Sequence, residues 1–205
     1  MNRYCTFYIV RHGQTDWNVE KRIQGSLGSN LTEIGISQAK STALLLKEIH
    51  IDAIFASPAS RAQQTAKLLL LERKLEVLTA ELLRERSFGP YEGKFISELK
   101  EHDEIIEKLS DAAKFTFKFH PQMESDEDVA SRFITFLRET AVGYPGKTIA
   151  LVTHSGTMRS LLIHLGFGTY KQLPYGCIAN SSYIALESDG VDFFIKETKG
   201  ITKHE

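Results

Sequence analysis

Short apolar runs alternate with longer stretches of helical periodicity along this chain, the pattern that encodes a sheet covered by helices on both faces. The first run, Thr6 to Val10, stops at Gly13. A helix is predicted to begin near Thr32, a suitable N-cap, and to turn Ile34, Ala39, Ala43, Leu44 and Leu46 inward. Ala53 to Ala56 reads as a second buried strand broken by Ser57-Pro58. Pro58 can open a helix that runs to about Leu71 and buries a stripe of Ala62, Ala66, Leu69 and Leu70. Leu75 to Thr79 predicts a third strand. Helices are expected over Ile96 to Leu109 and Asp126 to Ala141, with an irregular segment, Lys114 to Ser125, between them. Thr148 to Val152 is the most apolar strand, and a helix from Gly156 to Leu165 follows it. Ser182 to Leu186 and Phe193 to Glu197 close the chain as strands around Ser188-Asp189-Gly190, a hairpin-turn composition. The class is α/β.

A length of 205 residues suits one well-packed domain and is short for two cores, and no repeat or linker-like tract divides it, so residues 1–205 are read as one domain. With 42% hydrophobic and 25% charged residues and a formal net charge of -1, the chain has no basic excess for binding nucleic acid by charge alone. Cys5 and Cys177 offer no disulfide framework, zinc spacing or CxxC, which points to a reducing compartment with both as core fillers. Tyr4 to Val10 is too short for a secretion signal and leads straight into Arg11-His12. No stretch approaches the roughly 20 apolar residues of a membrane span. A cytoplasmic protein without nucleic-acid or membrane partners is the expectation.

Arg11-His12-Gly13 falls just past the carboxyl end of the first strand, and Thr153-His154-Ser155-Gly156 just past that of the strongest one. Ligands gather at this edge of an open parallel sheet, where helix N-termini present free N–H groups. Taken singly, a histidine at a strand end is commonly bonded to backbone and nothing more. The pair, each closely followed by glycine that lets a ligand approach the backbone, points to a site. His50, His102, His120, His164 and His204 fall in helices, turns or the tail and read as surface or packing residues.

Arg11 beside His12 opposes a bound cation, and no HxH or HExxH spacing is present, which argues against a metal or other cofactor. Ser155 lacks the GxSxG surroundings of a nucleophile elbow. Phosphate chemistry fits better, because neutral imidazole attacks phosphorus and guanidinium groups bind phosphoryl oxygens bidentately.

Arg11-His12-Gly13-Gln14-Thr15 with Asn18, Leu31-Thr32-Glu33-Ile34-Gly35, and Ser57-Pro58 leading to Arg61-Ala62-Gln63-Gln64-Thr65-Ala66 recur in order, followed by Leu83 to Gly89 with Glu92-Gly93, and Val152-Thr153-His154. This ordered set resembles the histidine phosphatase superfamily, its phosphoglycerate-mutase-like branch, across residues 3 to about 165. The resemblance implies a three-layer, Rossmann-like sandwich with a mostly parallel central sheet. It implies that His12 attacks the substrate phosphorus and becomes a phosphohistidine, that Arg11, Arg61 and His154 hold the phosphoryl oxygens, and that Asn18 and Gln24 add neutral donors. It implies Glu85 as the proton donor to the leaving oxygen. Standing alone, Glu81 or Glu92 would serve as well, and Arg84 and Arg86 would oppose the protonated state that bound phosphate and desolvation favour in Glu85 if they pointed inward. Without the resemblance, Arg61 would read as an exposed helix arginine, and Asn18 and Gln24 as loop polarity.

Relatives of this kind either hydrolyse a small phosphorylated metabolite or transfer its phosphoryl group to a second hydroxyl. The mutases carry a longer insertion with adjacent arginines between the acid and the second histidine. Here that stretch is short, its cations are scattered, and it offers Phe115, Phe117 and Phe119. Those phenylalanines read as an aromatic-lined lid or as core. A hydrolase is favoured over a mutase, with a non-catalytic phospho-ligand binder behind both. Ser155 in place of a glycine, and Met123 within Pro121 to Ser125, depart from the pattern without touching the phosphoryl chemistry.

Overall fold

The structure is a computed structural model that describes residues 4–205. In chain order its elements are β1 (Cys5–Arg11), α1 (Asp16–Val19), α2 (Glu33–Leu45), β2 (Ala53–Ala56), α3 (Ser60–Leu70), β3 (Val77–Thr79), α4 (Lys100–Glu107), α5 (Asp111–Thr116), α6 (Asp126–Gly143), β4 (Thr148–Thr153), α7 (Ser155–His164), β5 (Ile178–Ser188) and β6 (Phe193–Ile201). Six strands form one sheet in the order β3-β2-β4-β1-β5-β6. The first four run parallel to one another, and β5 and β6 are antiparallel additions at the β1 side.

Alternation along the central strands builds a core on each face. Phe7, Ile9, Ile149 and Leu151 pack against Phe133 and Leu137 of α6 and Met158 and Leu161 of α7. Val10, Ala150 and Val152, with Ile54 and Ala56, meet Ala43 of α2 and Ala62, Ala66 and Leu69 of α3. The result is the three-layer, mostly parallel sandwich implied by the resemblance. Cys5 and Cys177 are buried free thiols in the first of these cores. Among the described residues no helix is long and apolar enough to cross a membrane.

Several sequence-based expectations need correction. Ile34 and Leu44 do not face inward but are 59% and 63% exposed, while Gly35, Ala39, Thr42 and Ala43 are the buried face of α2. Each of the two lies one residue, about 100° of helix rotation, from a small residue that packs. The reason is a close approach: a Cβ on Gly13 would overlap the carbonyl oxygen of Gly35, and one on Gly35 that of Gln14. The helix sits so near the loop after β1 that small residues line its contact. Pro58 lies before α3, whose N-cap is Ala59, so it precedes the helix and does not open it. The third strand starts at Val77, not Leu75. Ile96 to Leu109 divides into a 3-10 turn, Ile96–Leu99, and α4, and the segment taken as irregular contains the end of α5, which Ser110 caps by accepting from the Ala113 N–H. β5 begins four residues before Ser182, through polar Asn180 and Ser181.

Truncating Phe133 to alanine, at the centre of the α6 face, is expected to cost about 3–5 kcal/mol in urea unfolding. Leu44→Ala, on the exposed side of α2, should stay within about 0.5 kcal/mol.

Candidate active site

The parallel register sets Arg11 of β1 opposite Thr153 of β4, and the next residue on each strand is a histidine. The His12 N–H donates to the Thr153 carbonyl at 3.0 Å, and the two imidazole centroids are 5.2 Å apart. Beyond this point the chains part, since α2 follows β1 onto one face and α7 follows β4 onto the other. Such a divergence opens a crevice at the carboxyl edge of a doubly wound sheet.

His12 is buried, and its Nδ1 is 2.8 Å from the Gly13 carbonyl, a geometry in which Nδ1 carries the proton and Nε2 keeps its lone pair. Arg61 places Nε 3.3 Å from that Nε2 and spends its other nitrogens on the carbonyls of Leu27 and Gly25 at 2.8 and 2.7 Å. Arg11 donates to the Ile178 carbonyl and keeps a buried Nε without a partner. Burial lowers both guanidinium pKa values to about 10, which leaves each cationic at neutral pH. Burial first, then the Arg61 and Arg11 charges, hold His12 well below its ordinary 6.5. His154 is held down likewise by burial, then by Arg61 and His12. It lies behind His12, with Nε2 2.8 Å from the Ser57 hydroxyl and a buried Nδ1 that has no partner.

Glu85 is seated on the N-terminus of α7, where Gly156 N–H donates to one carboxylate oxygen at 3.2 Å and Thr157 N–H to the other at 3.1 Å. Gly156 is needed for this approach, because a Cβ there would stand 2.6 Å from Oε1. Arg84 and Arg86 turn away: Arg84 pairs with Glu124, and Arg86 reaches the Glu124 carbonyl, Asp126 and the Tyr175 hydroxyl. Glu92 serves a different purpose, accepting from Phe88 N–H and from the backbone and hydroxyl of Ser26. It thereby props the Gly25 loop whose carbonyl holds Arg61.

Arg11, His12, Asn18, Gln24, Arg61 and Glu85 all line one cavity of about 290 Å³. Asn18 accepts with its oxygen from Thr15 N–H and from Asn180, and Gln24 with its oxygen from Ser29, so each amide has its NH₂ to offer. Phe115, Phe117 and Phe119 do not line the cavity; Phe88 and Tyr175 supply its aromatic wall. Phe115 stacks instead on His164, and Phe117 and Phe119 surround His102.

Sequence reasoning missed Asn180, which donates to both the His12 carbonyl and Asn18 at 3.2 Å, and Ser57 as the partner of His154. It also missed Arg159, Tyr175 and His102 in the cavity wall. Ser57 carried a weak signal, since it stands just past the end of β2 at the same sheet edge; the others carried none.

A sheet of this topology with paired histidines and buried arginines at its crevice defines an enzyme of phosphate chemistry. The chain belongs to the histidine phosphatase superfamily, branch 1, whose family model matches residues 7–199. It is 39% identical over 166 residues to a probable phosphoglycerate mutase of Proteus mirabilis (strain HI4320), covering 80% of this chain and 77% of that one. It is 34% identical over 157 residues to a putative phosphoserine phosphatase of Hydrogenobacter thermophilus, covering 76% and 75%. Among solved structures, a mycobacterial glucosyl-3-phosphoglycerate phosphatase complexed with VO3 superposes with a TM-score of 0.78 at 27% identity, covering 96% of this chain and 99% of that one.

Two histidines held neutral in the fold make stability fall on the acid side. Below about pH 6.5 the unfolded chain takes up a proton on each of them while the folded protein does not, so stability present at neutral pH is lost as pH drops toward their depressed values. Urea unfolding between pH 7 and 5 should show this decline, and His12→Gln should reduce its slope by up to about 1.4 kcal/mol per pH unit.

Proposed function

We propose that this enzyme hydrolyses phosphomonoesters of small metabolites through a phosphohistidine on His12, without a metal. The observation that carries the reading is the state of His12: a buried imidazole held neutral, whose Nδ1 donates to a carbonyl and whose Nε2 faces Arg61 Nε at 3.3 Å, with the Arg11 charge also acting on it.

In the proposed reaction the phosphoryl group sits against Arg11 and Arg61, with the amide NH₂ groups of Asn18 and Gln24 as further donors. These cations offset the charge of the phosphoryl oxygens in the transition state. His12 Nε2 forms a bond to phosphorus as the ester P–O bond breaks, and protonated Glu85 gives its proton to the departing alcohol oxygen. The Gly13 carbonyl stabilises the N–H of the resulting phosphoimidazolium. Water then attacks phosphorus, Glu85 carboxylate takes its proton, the P–N bond breaks, and neutral His12 and inorganic phosphate result. A phosphate dianion also favours a proton on His154, which stands outside the cavity lining with Nε2 against Ser57 and Nδ1 unpartnered among the described residues.

Hydrolysis is preferred to transfer because the cavity has an apolar wall and few spare cations. Ile23, Phe88, Ile96 and Leu99 line it away from the phosphate end, and its further arginines, Arg22 and Arg159, are already engaged by Glu20 and the Gly93 carbonyl and by the Leu173 carbonyl and Asp126. The relatives named as phosphatases act on phosphoserine and glucosyl-3-phosphoglycerate, both small phosphorylated metabolites. The relative named as a probable phosphoglycerate mutase keeps transfer as the second reading.

Phosphate release from a panel of phosphomonoesters is expected to persist in EDTA, to disappear in His12→Ala, and to proceed without a second phosphoglycerate acceptor. No release from any ester, or release only as transfer to an added phosphoglycerate, would overturn the hydrolase reading. Glu85→Gln is expected to lower kcat by about 10²–10⁴ on alkyl phosphates, whose leaving oxygens need a proton, and far less on p-nitrophenyl phosphate. An equal loss on both substrate types would remove Glu85 from the proton-donor role.

A further inference from the structure

His102 lies on α4, above the carboxyl edge of the sheet, and is 1% exposed. Its imidazole contacts the rings of Phe117 and Phe119, with centroids 6.1 and 5.5 Å away. Nδ1 is 2.9 Å from a carboxylate oxygen of Asp103, a contact in which Nδ1 carries a proton and donates it. Nε2 of a ring protonated only on Nδ1 is an acceptor, and here it is buried with no partner among the described residues. Folded proteins seldom leave a buried polar atom unpaired, because its lost hydration is not repaid. His102 and Asp103 both form part of the wall of the cavity that holds His12 and Glu85.

The two sides of this cavity differ in hydrogen-bonding character. Around His12 it presents donors, from Arg11, Arg61, Asn18 and Gln24, which suit the acceptor oxygens of a phosphoryl group. Around α4 its wall contains acceptors: His102, whose buried Nε2 is unpartnered among the described residues, and the half-exposed Asp103 carboxylate, set among Leu99 and Ile96. Arg22 and Arg159, the wall cations that a carboxylate would seek, are already paired. We propose that His102 is a specificity-determining residue that accepts, through Nε2, a hydrogen bond from a hydroxyl or ammonium group on the leaving alcohol. The favoured substrates are then phosphorylated polyols and amino alcohols over plain alkyl phosphates. This inference rests on the hydrolase reading above.

Matched esters test it: glycerol 3-phosphate against propyl phosphate, phosphoethanolamine against ethyl phosphate, and 3-phosphooxypropanoate as the carboxylate arm. Wild type is expected to prefer the donor-bearing member of each pair by about tenfold or more in kcat/KM, since a site built to bond a substrate donor rejects the analogue lacking it. His102→Phe, which keeps the ring packing, should erase that preference and leave the plain alkyl esters within about threefold. His102→Gln, which can place an acceptor oxygen near Nε2, should restore part of the preference and guards against a folding defect in the first variant. The same pairs are titrated by calorimetry into His12→Ala and His12→Ala/His102→Phe, where binding reports the preference without chemistry. A preference absent from wild type, an equal loss on both members of a pair, or a loss confined to the carboxylate ester would overturn the inference. If wild type hydrolyses no ester, the hydrolase reading fails while the calorimetric pairs still decide the role of His102.

Discussion

The parallel pairing of β1 with β4 is the constraint on which the rest of this structure depends. One residue past a shared register, two imidazoles come within ring contact. Both strands are buried on both faces, so slipping the register by one residue would exchange Phe7 and Ile9 with Tyr8 and Val10 and misplace every core contact. The same cores that stabilise the sheet therefore fix the spacing of His12 and His154. Glycine completes the arrangement, because Gly13 and Gly35 let α2 close on the loop after β1 and Gly156 lets Glu85 close on α7.

Concentrating positive charge beneath a neutral imidazole costs stability, and the fold bonds the two guanidinium groups to backbone carbonyls while the Glu85 charge acts on both and that of Glu92 on Arg61. Arg61 is held by Leu27 and Gly25 and Arg11 by Ile178, so their charges remain directed at the crevice. A carboxylate partner would have stabilised the empty crevice and neutralised the charge needed by a phosphoryl group. The Gly25 carbonyl in turn depends on Glu92, which ties that loop to the segment following Glu85. The carboxylate that the sequence offered as an equal alternative to Glu85 thus acts one step behind the arginine.

What could be read in advance follows from how local each signal is. β1 and β4 were legible because a run of apolar residues leads into a histidine, and α6 because its helical periodicity is long, whereas the six-residue α5 was not. The face of α2 was not legible, because a periodicity built on large apolar residues gives no weight to Gly35 and Ala39, which a backbone approach selects. Asn180 and Ser57 lie 168 and 97 positions from the histidines they contact; nothing in its own neighbourhood marks Asn180, and only its place just past β2 hints at Ser57. The early start of β5 was hidden for a related reason: its polar first residues serve the crevice and so break the apolar run that would reveal a strand.

The segment between Glu85 and α6 shows how a short insertion can determine chemistry without touching the phosphate. Glu124 binds Arg84 and Arg132, and Asp126 binds Arg86, Ser160 and Tyr170. These contacts anchor the end of the segment to α7 and hold the two arginines flanking Glu85 away from its carboxylate. Arg11 and Arg61 are the cavity cations whose charges act on Glu85, and Arg86 acts on it from its buried pair with Asp126. Glu124 and Asp126 therefore fix the two flanking guanidinium groups and leave the Glu85 carboxylate bonded to backbone amides and a threonine hydroxyl.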